Sequence, residues 1–351
     1  MILQTETQRL GRMPFFDFLK MFAMFMVLWG HAIQHLQTGE VWNEPMHKVI
    51  YSFHLPLFMM IAGFFSLSSM NLPLADFVKK KGVQLLLPCL TWGIILYGVI
   101  AFMDELLGVR ISYSPFFVFF QHFWFLKSLF VCYLIAYLGN RICHSMVCWI
   151  LLTLVVAHIS TTHQIPIMYF CFLGGILLRL YFHKFESNCK AITSLSGLIF
   201  IFLLITTKGD LPLKGINAVD IIKNHSITPP ILAYLNKTIV SLSSSIFIIG
   251  LALLLSRNSK YADFFAKSKL TMIGKYTLGI YILQSIILET VMAEYIKVDQ
   301  WGGIFSSLIF DIYIVFPLIS FVVLLLCTEL TRLIAHNQFL GFWLLGNAKK
   351  K

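Results

Sequence analysis

His31 is a proton-transfer group set at membrane depth. It lies in Phe15–Leu36 (FFDFLKMFAMFMVLWGHAIQHL), a 22-residue, mostly apolar run long enough to cross a bilayer. An imidazole there is costly to bury, which makes an intramembrane ionisable residue a candidate functional group by default. Lys20 precedes it by eleven residues, and eleven steps of about 100° return almost to the starting azimuth, roughly 16 Å along the axis. Lys20 and His31 therefore share one stripe of one helix: a cation near the membrane surface and a base deeper in. Asp17, three residues before Lys20, can pair with it on the same face. Taken alone, His31 fits a hydrogen bond to a neighbouring helix equally well, and Lys20 could simply snorkel to the headgroups.

Other polar residues interrupt apolar runs in the same way. The stretch Phe53–Phe65 (FHLPLFMMIAGFF) places His54 at a depth similar to His31, with Pro56 removing a backbone donor and Gly63 permitting close helix contact. Lys79, Lys80 and Lys81 follow Asp76 at the end of that hairpin. Three cations at a helix start can hold phosphates, although the same lysines could serve only to set topology. His122-Phe-Trp124-Phe-Leu-Lys127 puts an aromatic plate between two basic groups, and Lys127 calls for a watery cavity or an acidic partner such as Asp104, Glu105, Glu289 or Asp311. Gly274-Lys275-Tyr-Thr-Leu-Gly-Ile-Tyr281-Ile-Leu-Gln284-Ser285 supplies Tyr281 and Gln284 as mid-span hydrogen-bonding groups.

These residues need a membrane scaffold to position them. Of 351 residues 58% are hydrophobic and 12% charged, against about 25% charged in a soluble domain. Apolar runs recur at 15–36, 47–69, 82–104, 115–138, 145–160, 165–182, 191–207, 237–256, 272–295 and 303–334. The fold class is therefore all-α, a polytopic membrane helix bundle of about ten transmembrane helices. The whole chain, 1–351, reads as one membrane domain with a short N-terminal segment (1–14) and a C-terminal tail (335–351). The first run is too long for a signal-peptide core and lacks an Ala-x-Ala site, so it reads as a retained span.

Charge bias orients the bundle. With the N-terminus inside, the inner segments hold 18 Lys and Arg, from Arg9 and Arg12 through Lys79–Lys81 to Lys349–Lys351. The outer ones hold seven: Lys48, Arg110, Lys208, Lys214, Lys223, Lys237 and Lys297. That asymmetry places both termini in the cytoplasm and the long loop 207–236 outside, with the cell (inner) membrane as the location. It also accounts for the net charge of +11 without nucleic acid, for which no basic patch sits on a recognisable fold. The seven cysteines show no CxxC or Cys/His metal spacing, so neither disulfides nor a metal is expected.

The ordered motifs Asp17-x-x-Lys20-x(10)-His31, Phe53-His54-x-Pro56-x-Phe58…Gly63-Phe64, Lys81-x-x-Gln84-Leu-x-x-Pro88, Trp124-Phe-Leu and Gly274-Lys275-Tyr-x(4)-Tyr281-Ile-Leu resemble the integral-membrane acyltransferase-3 family. The resemblance runs from about residue 14 to 290. It implies ten spans and transfer of an acyl, usually acetyl, group from cytoplasmic acyl-CoA to a sugar hydroxyl of a cell-surface glycan or its lipid-linked precursor. It implies His31 as the catalytic residue and Lys20 as its cationic companion. Two positions depart from the family pattern: Gln84 replaces the second cation of a pair spaced three apart, and Gln284 replaces a His.

On that reading acyl-CoA is a co-substrate and no cofactor is bound permanently. Lys20, oriented by Asp17, and Lys79, Lys80, Lys81 and Lys275 hold its phosphates. His54, Trp124, Lys127, Tyr281 and Gln284 shape the sugar or thioester pocket. Neutral His31, with an ordinary pKa near 6.5, suits a base for the hydroxyl, or it carries the acyl group itself in a two-step transfer. A different class stays open: buried His, Lys and Asp also suit a transporter or flippase for a lipid-linked saccharide, against which no internal repeat is visible. A third reading is an inactive scaffold. His31→Ala should abolish acylated product while membrane expression persists, which immunoblotting and product analysis of the same membranes will check.

Overall fold

The computed structural model describes residues 13–37, 44–107, 122–159, 165–207, 228–298 and 307–347. The N-terminal segment to residue 12, the expected span starts 115–121 and 303–306, residue 160, the outer loop 208–227, residues 348–351 and the Asp104 side chain lie outside the described residues. The described chain is helical, with no strand among these residues. Ten helical rods occupy the ten apolar runs: α1 (Pro14–His35), α2 (Pro45–Phe64), α3 (Leu74–Lys81, Gly82–Leu86 and Leu87–Leu107), α4 (Trp124–Ile142), α5 (Met146–Ile159), α6 (Ile165–Leu180), α7 (Cys189–Thr206), α8 (Thr228–Ser256), α9 (Thr277–Ile286, Ile287–Met292 and Ala293–Tyr295) and α10 (Leu308–Phe310, Asp311–Val315 and Phe316–His336). Seven of them are long and apolar enough to cross a membrane, which makes this a multi-pass membrane protein.

α1 is the central helix. Pro14 opens it at the position where a missing N–H costs nothing, and Asp17 in its first turn complements the helix dipole. In its most apolar stretch 67% of residues are buried, against 28% for α7, so α1 meets protein where α7 meets lipid. α1 packs on α2, α8, α9 and α10. The tightest pairing, α2 with α6, is set by two glycines: a Cβ on Gly63 would fall 1.9 Å from the Phe172 carbonyl oxygen, and one on Gly175 1.9 Å from that of Met60. Backbones approach this closely only where small residues meet.

Three helices contain a π-helical turn. In α3 it ends at Leu86, two residues before Pro88, and in α10 at Val315, two residues before Pro317. A proline ring inside a helix clashes with the carbonyl four residues back and offers that carbonyl no N–H. One extra residue in the preceding turn relieves the clash, so the rod continues. The third π turn, Ile287–Met292, has no proline and carries Glu289. Pro56 in α2 is accommodated differently. The Tyr51 carbonyl accepts a hydrogen bond from Lys237 Nζ at 2.6 Å and that of Ser52 from Ser244 Oγ at 3.4 Å, both on α8. Neighbouring helices satisfy such backbone groups in a membrane.

Three boundaries differ from the sequence reading. α8 starts at Thr228, because Pro229 and Pro230 fall in its first turn and open a helix where they were expected to hold a loop. Lys237 is consequently buried within α8 instead of flanking the outer loop. The run 272–295 is broken at Gly274–Tyr276, between the short helix Lys269–Ile273 and α9. The expected tail contains the helix Gln338–Leu345, pinned to α3 by Thr91 Oγ1 donating to the Trp343 carbonyl and Trp92 Nε1 to that of Leu344, both at 2.8 Å.

Gly63→Leu should cost at least about 3 kcal/mol, the upper end of overpacking penalties, because the obstacle is backbone. Gly98→Ala, where a Cβ meets nothing within 4 Å, should not destabilise. Thermal unfolding of the detergent-solubilised protein will compare the two.

Candidate functional site

The stripe expected on α1 is real, and it borders a cavity of about 240 Å³. Lys20, Met24 and Val27 line it, at spacings of four and three, and His31 is the next position on the same stripe. Opposite stand Leu55 and Phe58 of α2 with Phe65 just past its end, Leu85 of α3, Phe125 and Leu129 of α4, and Thr277 and Tyr281 of α9. The helix directions agree about its ends. Lys20, Phe65 and Thr277 mark the end near the start of α1, and Val27, Leu55 and Tyr281 mark the end toward His31. The cavity is apolar along its length, with one cation at its mouth.

At that mouth Lys20 Nζ sits 2.7 Å from Asp17 Oδ1. The break at Gly274 has a local cause there: a Cβ on Gly274 would lie 1.8 Å from the Asp17 carbonyl oxygen. Only glycine lets the start of α9 press on the first turn of α1, which also delivers the exposed Lys275 beside it. The three consecutive lysines do not act alike. Lys79 and Lys80 are exposed, whereas Lys81 is buried with its Nζ 3.7 Å from the centre of the Tyr133 ring. Tyr133 in turn donates to the carbonyl of Ala62, a cavity residue. Gln84, in place of the family's second cation, is exposed.

Beyond the far end of the cavity His31 Nε2 lies 3.5 Å from Glu289 Oε1. Gln284 Nε2 donates to the same carboxylate oxygen at 2.7 Å. Five residues separate Gln284 from Glu289, which on a regular helix would leave them about 140° apart. The π turn brings them onto one face. Glu289 was foreseen only as one of several acidic partners for Lys127, and the structure sets it against His31. Its signal in the sequence was a carboxylate in an apolar run. His31 Nδ1 is buried with no hydrogen-bond partner.

Neighbouring helices fix the ring's surroundings. Gly30 leaves room for Tyr51, whose ring would sit 3.0 Å from a Cβ there, and Tyr51 donates to Gln34 Oε1 at 2.7 Å, one turn beyond His31. His54 packs edge-on against Tyr51, with its Nδ1 2.7 Å from the Ile50 carbonyl. Ser285 Oγ and His122 Nε2 share a short hydrogen bond, joining α9 to the residues before α4. Trp29 Nε1 donates to the Ile312 carbonyl in the π turn of α10 at 2.9 Å. The structure thus joins Asp17 to Lys20, Lys20 to Tyr281 across the cavity, and Gln284 to His31 through Glu289. His54, Trp124, Lys127, Lys79, Lys80 and Lys275 stand outside the cavity lining. His35, Ser285 and Tyr51 were not among the residues singled out from the sequence. His35 stacks on His31 with ring centres 5.8 Å apart.

Lys81→Ala removes a buried cation–aromatic contact of about 0.5–2 kcal/mol. It should lower the unfolding temperature, whereas Lys79→Ala and Lys80→Ala should leave stability within about 0.5 kcal/mol. Thermal melts of the three variants side by side will measure this.

Known proteins bear on the same residues. Residues 13–332 match the family described as acyltransferase domain, which takes in α1 through most of α10. The nodulation protein NolL of Mesorhizobium japonicum is 31% identical over 128 residues, 34% of this chain and 34% of that protein. NolL of Sinorhizobium fredii is 40% identical over 83 residues, 22% of each. The chain thus spans about a third or less of the length of these curated relatives. No solved structure matches it. A family match over nearly the whole length, on a bundle whose first helix carries the Lys20–His31 stripe, means that this chain belongs to the integral-membrane acyltransferase-3 family.

Proposed function

We propose that this protein takes an acyl group, acetyl being the simplest, from cytoplasmic acyl-CoA and transfers it to a hydroxyl of a cell-surface or lipid-linked carbohydrate. The membership just described supports acyl transfer. The observation that carries the mechanism is the Glu289–His31 contact at 3.5 Å, placed where the Lys20–Met24–Val27 stripe ends. A narrow apolar cavity with a lysine at its mouth fits a carrier with a phosphate-bearing head and an acyl-bearing arm: the head stays with Lys20 and the arm runs inward. Both termini lie in the cytoplasm on this reading, so the mouth faces the CoA pool.

The chemistry follows from the contacts. On this reading the Glu289 carboxylate, 3.5 Å from His31 Nε2, closes to accept the Nε2–H, which selects that tautomer and leaves the lone pair on Nδ1. Nδ1 is the buried atom without a partner, so it takes the proton of the incoming hydroxyl as the oxygen attacks the thioester carbonyl carbon. The carbon–sulfur bond then breaks, and the imidazolium returns the proton to the departing thiolate. A base held this way contributes about 10²–10⁴-fold. Glu289 stabilises the imidazolium, and Gln284 holds Glu289 in place. Tyr281, at the inward end of the cavity, lies on the path between arm and base.

Glu289→Gln keeps the shape and removes the charge. It should lower kcat at least about 10²-fold with little change in the KM for acyl-CoA, while Lys20→Ala should raise that KM. Mass spectrometry of surface glycans from cells with the wild type, His31→Ala and Glu289→Gln will test the whole reading. The wild type should add one acyl mass to a defined sugar, and both variants should lose it. Full acylation with His31→Ala would remove the mechanism.

A further inference from the structure

The corner that holds His31 contains a second pattern. His35 follows His31 by four residues, so two imidazoles project from one face of α1, one turn apart. Glu289 closes the triangle from α9, and one ligand atom from each of the three lies within 4.8 Å of the others. Two ligands about 2.1 Å from a tetrahedral ion stand about 3.4 Å apart, and His31 Nε2 and Glu289 Oε1 are already at 3.5 Å. The side chains of His31 and Glu289 are 22% and 19% exposed, enough for a small ion to reach them. Gln284 braces the carboxylate, as the outer partners of metal ligands do.

We propose that His31, His35 and Glu289 form a binding site for a divalent transition-metal ion, with zinc as the ion it takes. Two imidazoles and one carboxylate on helices, with a fourth position open, are the ligand set of zinc centres that keep a place for water or a hydroxyl. Cysteine spacing gave no hint of it, because none of the three ligands is a cysteine and the third comes from a helix far along the chain. Lys297, whose Nζ donates to the His35 carbonyl at 2.7 Å, adds positive charge nearby. Binding is therefore expected to be reversible and removable by chelator. An ion seated there parts His31 Nε2 from the carboxylate, so on the reading above zinc inhibits acyl transfer; that consequence rests on that reading, whereas metal binding does not.

The test uses untagged, chelator-treated full-length protein titrated with zinc chloride by calorimetry, alongside His35→Gln, Glu289→Gln and a control, His183→Ala, at an exposed histidine. One equivalent should bind to the wild type and to His183→Ala, and affinity should fall about tenfold or more in the other two. If His35→Gln does not fold, zinc should still raise the unfolding temperature of the wild type and of His183→Ala and leave that of Glu289→Gln unmoved. No zinc binding by the wild type, or equal binding by all variants, overturns the proposal. An acyltransferase assay that fails while zinc binds as expected would instead count against the proposed function.

Discussion

Within hydrocarbon, a polar side chain that does not meet a partner on another helix is a standing cost, and the His31–Glu289 contact answers that cost for an imidazole and a carboxylate at once. Much of the neighbouring packing ties elements to the last two turns of α1. Tyr51 bonds Gln34 from α2, Trp29 bonds the π turn of α10, the Val298 N–H donates to the Leu36 carbonyl, and Lys297 donates to that of His35. Each of these contacts satisfies a buried polar group and at the same time fixes the azimuth of α1. A helix held from three sides cannot roll, and only an unrolled α1 keeps Lys20 on the cavity wall with His31 just beyond its far end.

The π turns serve the same end by a different route. Those before Pro88 and Pro317 let long rods absorb a ring that would otherwise kink them. The turn at Ile287–Met292 has no such excuse. What it achieves is to align Gln284 with Glu289 and turn both toward α1. A regular helix through the same residues would send one of the two away from His31, leaving the imidazole without its carboxylate or the carboxylate without its brace. Local helix geometry is therefore part of the site's chemistry, not only of its scaffold.

This also explains which features could be read from the chain. Apolar run length fixes the ten rods in spite of Pro56, Pro88 and Pro317 inside them, and constant 100° steps along α1 fix the Lys20–His31 stripe and the Asp17–Lys20 pair. Those inferences hold because they depend on one helix at a time. Glu289 escaped as a partner of His31 because its alignment depends on a π turn that has no proline to announce it. Lys237 escaped because its partner is a carbonyl beside Pro56 on another helix. The three lysines escaped individual assignment because the sequence gives only their number, whereas Tyr133 decides that Lys81 alone turns inward. The helix Gln338–Leu345 ends at Gly346, whose left-handed φ of 64° is a stop signal that the sequence does carry.

The separation between Lys20 and His31 is a constraint in its own right. On the proposed function, a cation beside His31 would draw the phosphates of the carrier into the hydrocarbon, past a stretch of lining with no charged side chain beyond Lys20. Eleven residues of helix resolve that conflict. On that proposal the anionic part stays with Lys20, and only an uncharged arm needs to enter among Met24, Val27, Leu55 and Phe58. On the same proposal His31, at the far end, works in a water-poor setting, where a Glu289 carboxylate acts on the imidazolium with little screening. An apolar wall between two polar ends is therefore what would let one helix, on the proposed function, serve both the carrier and the transferred group.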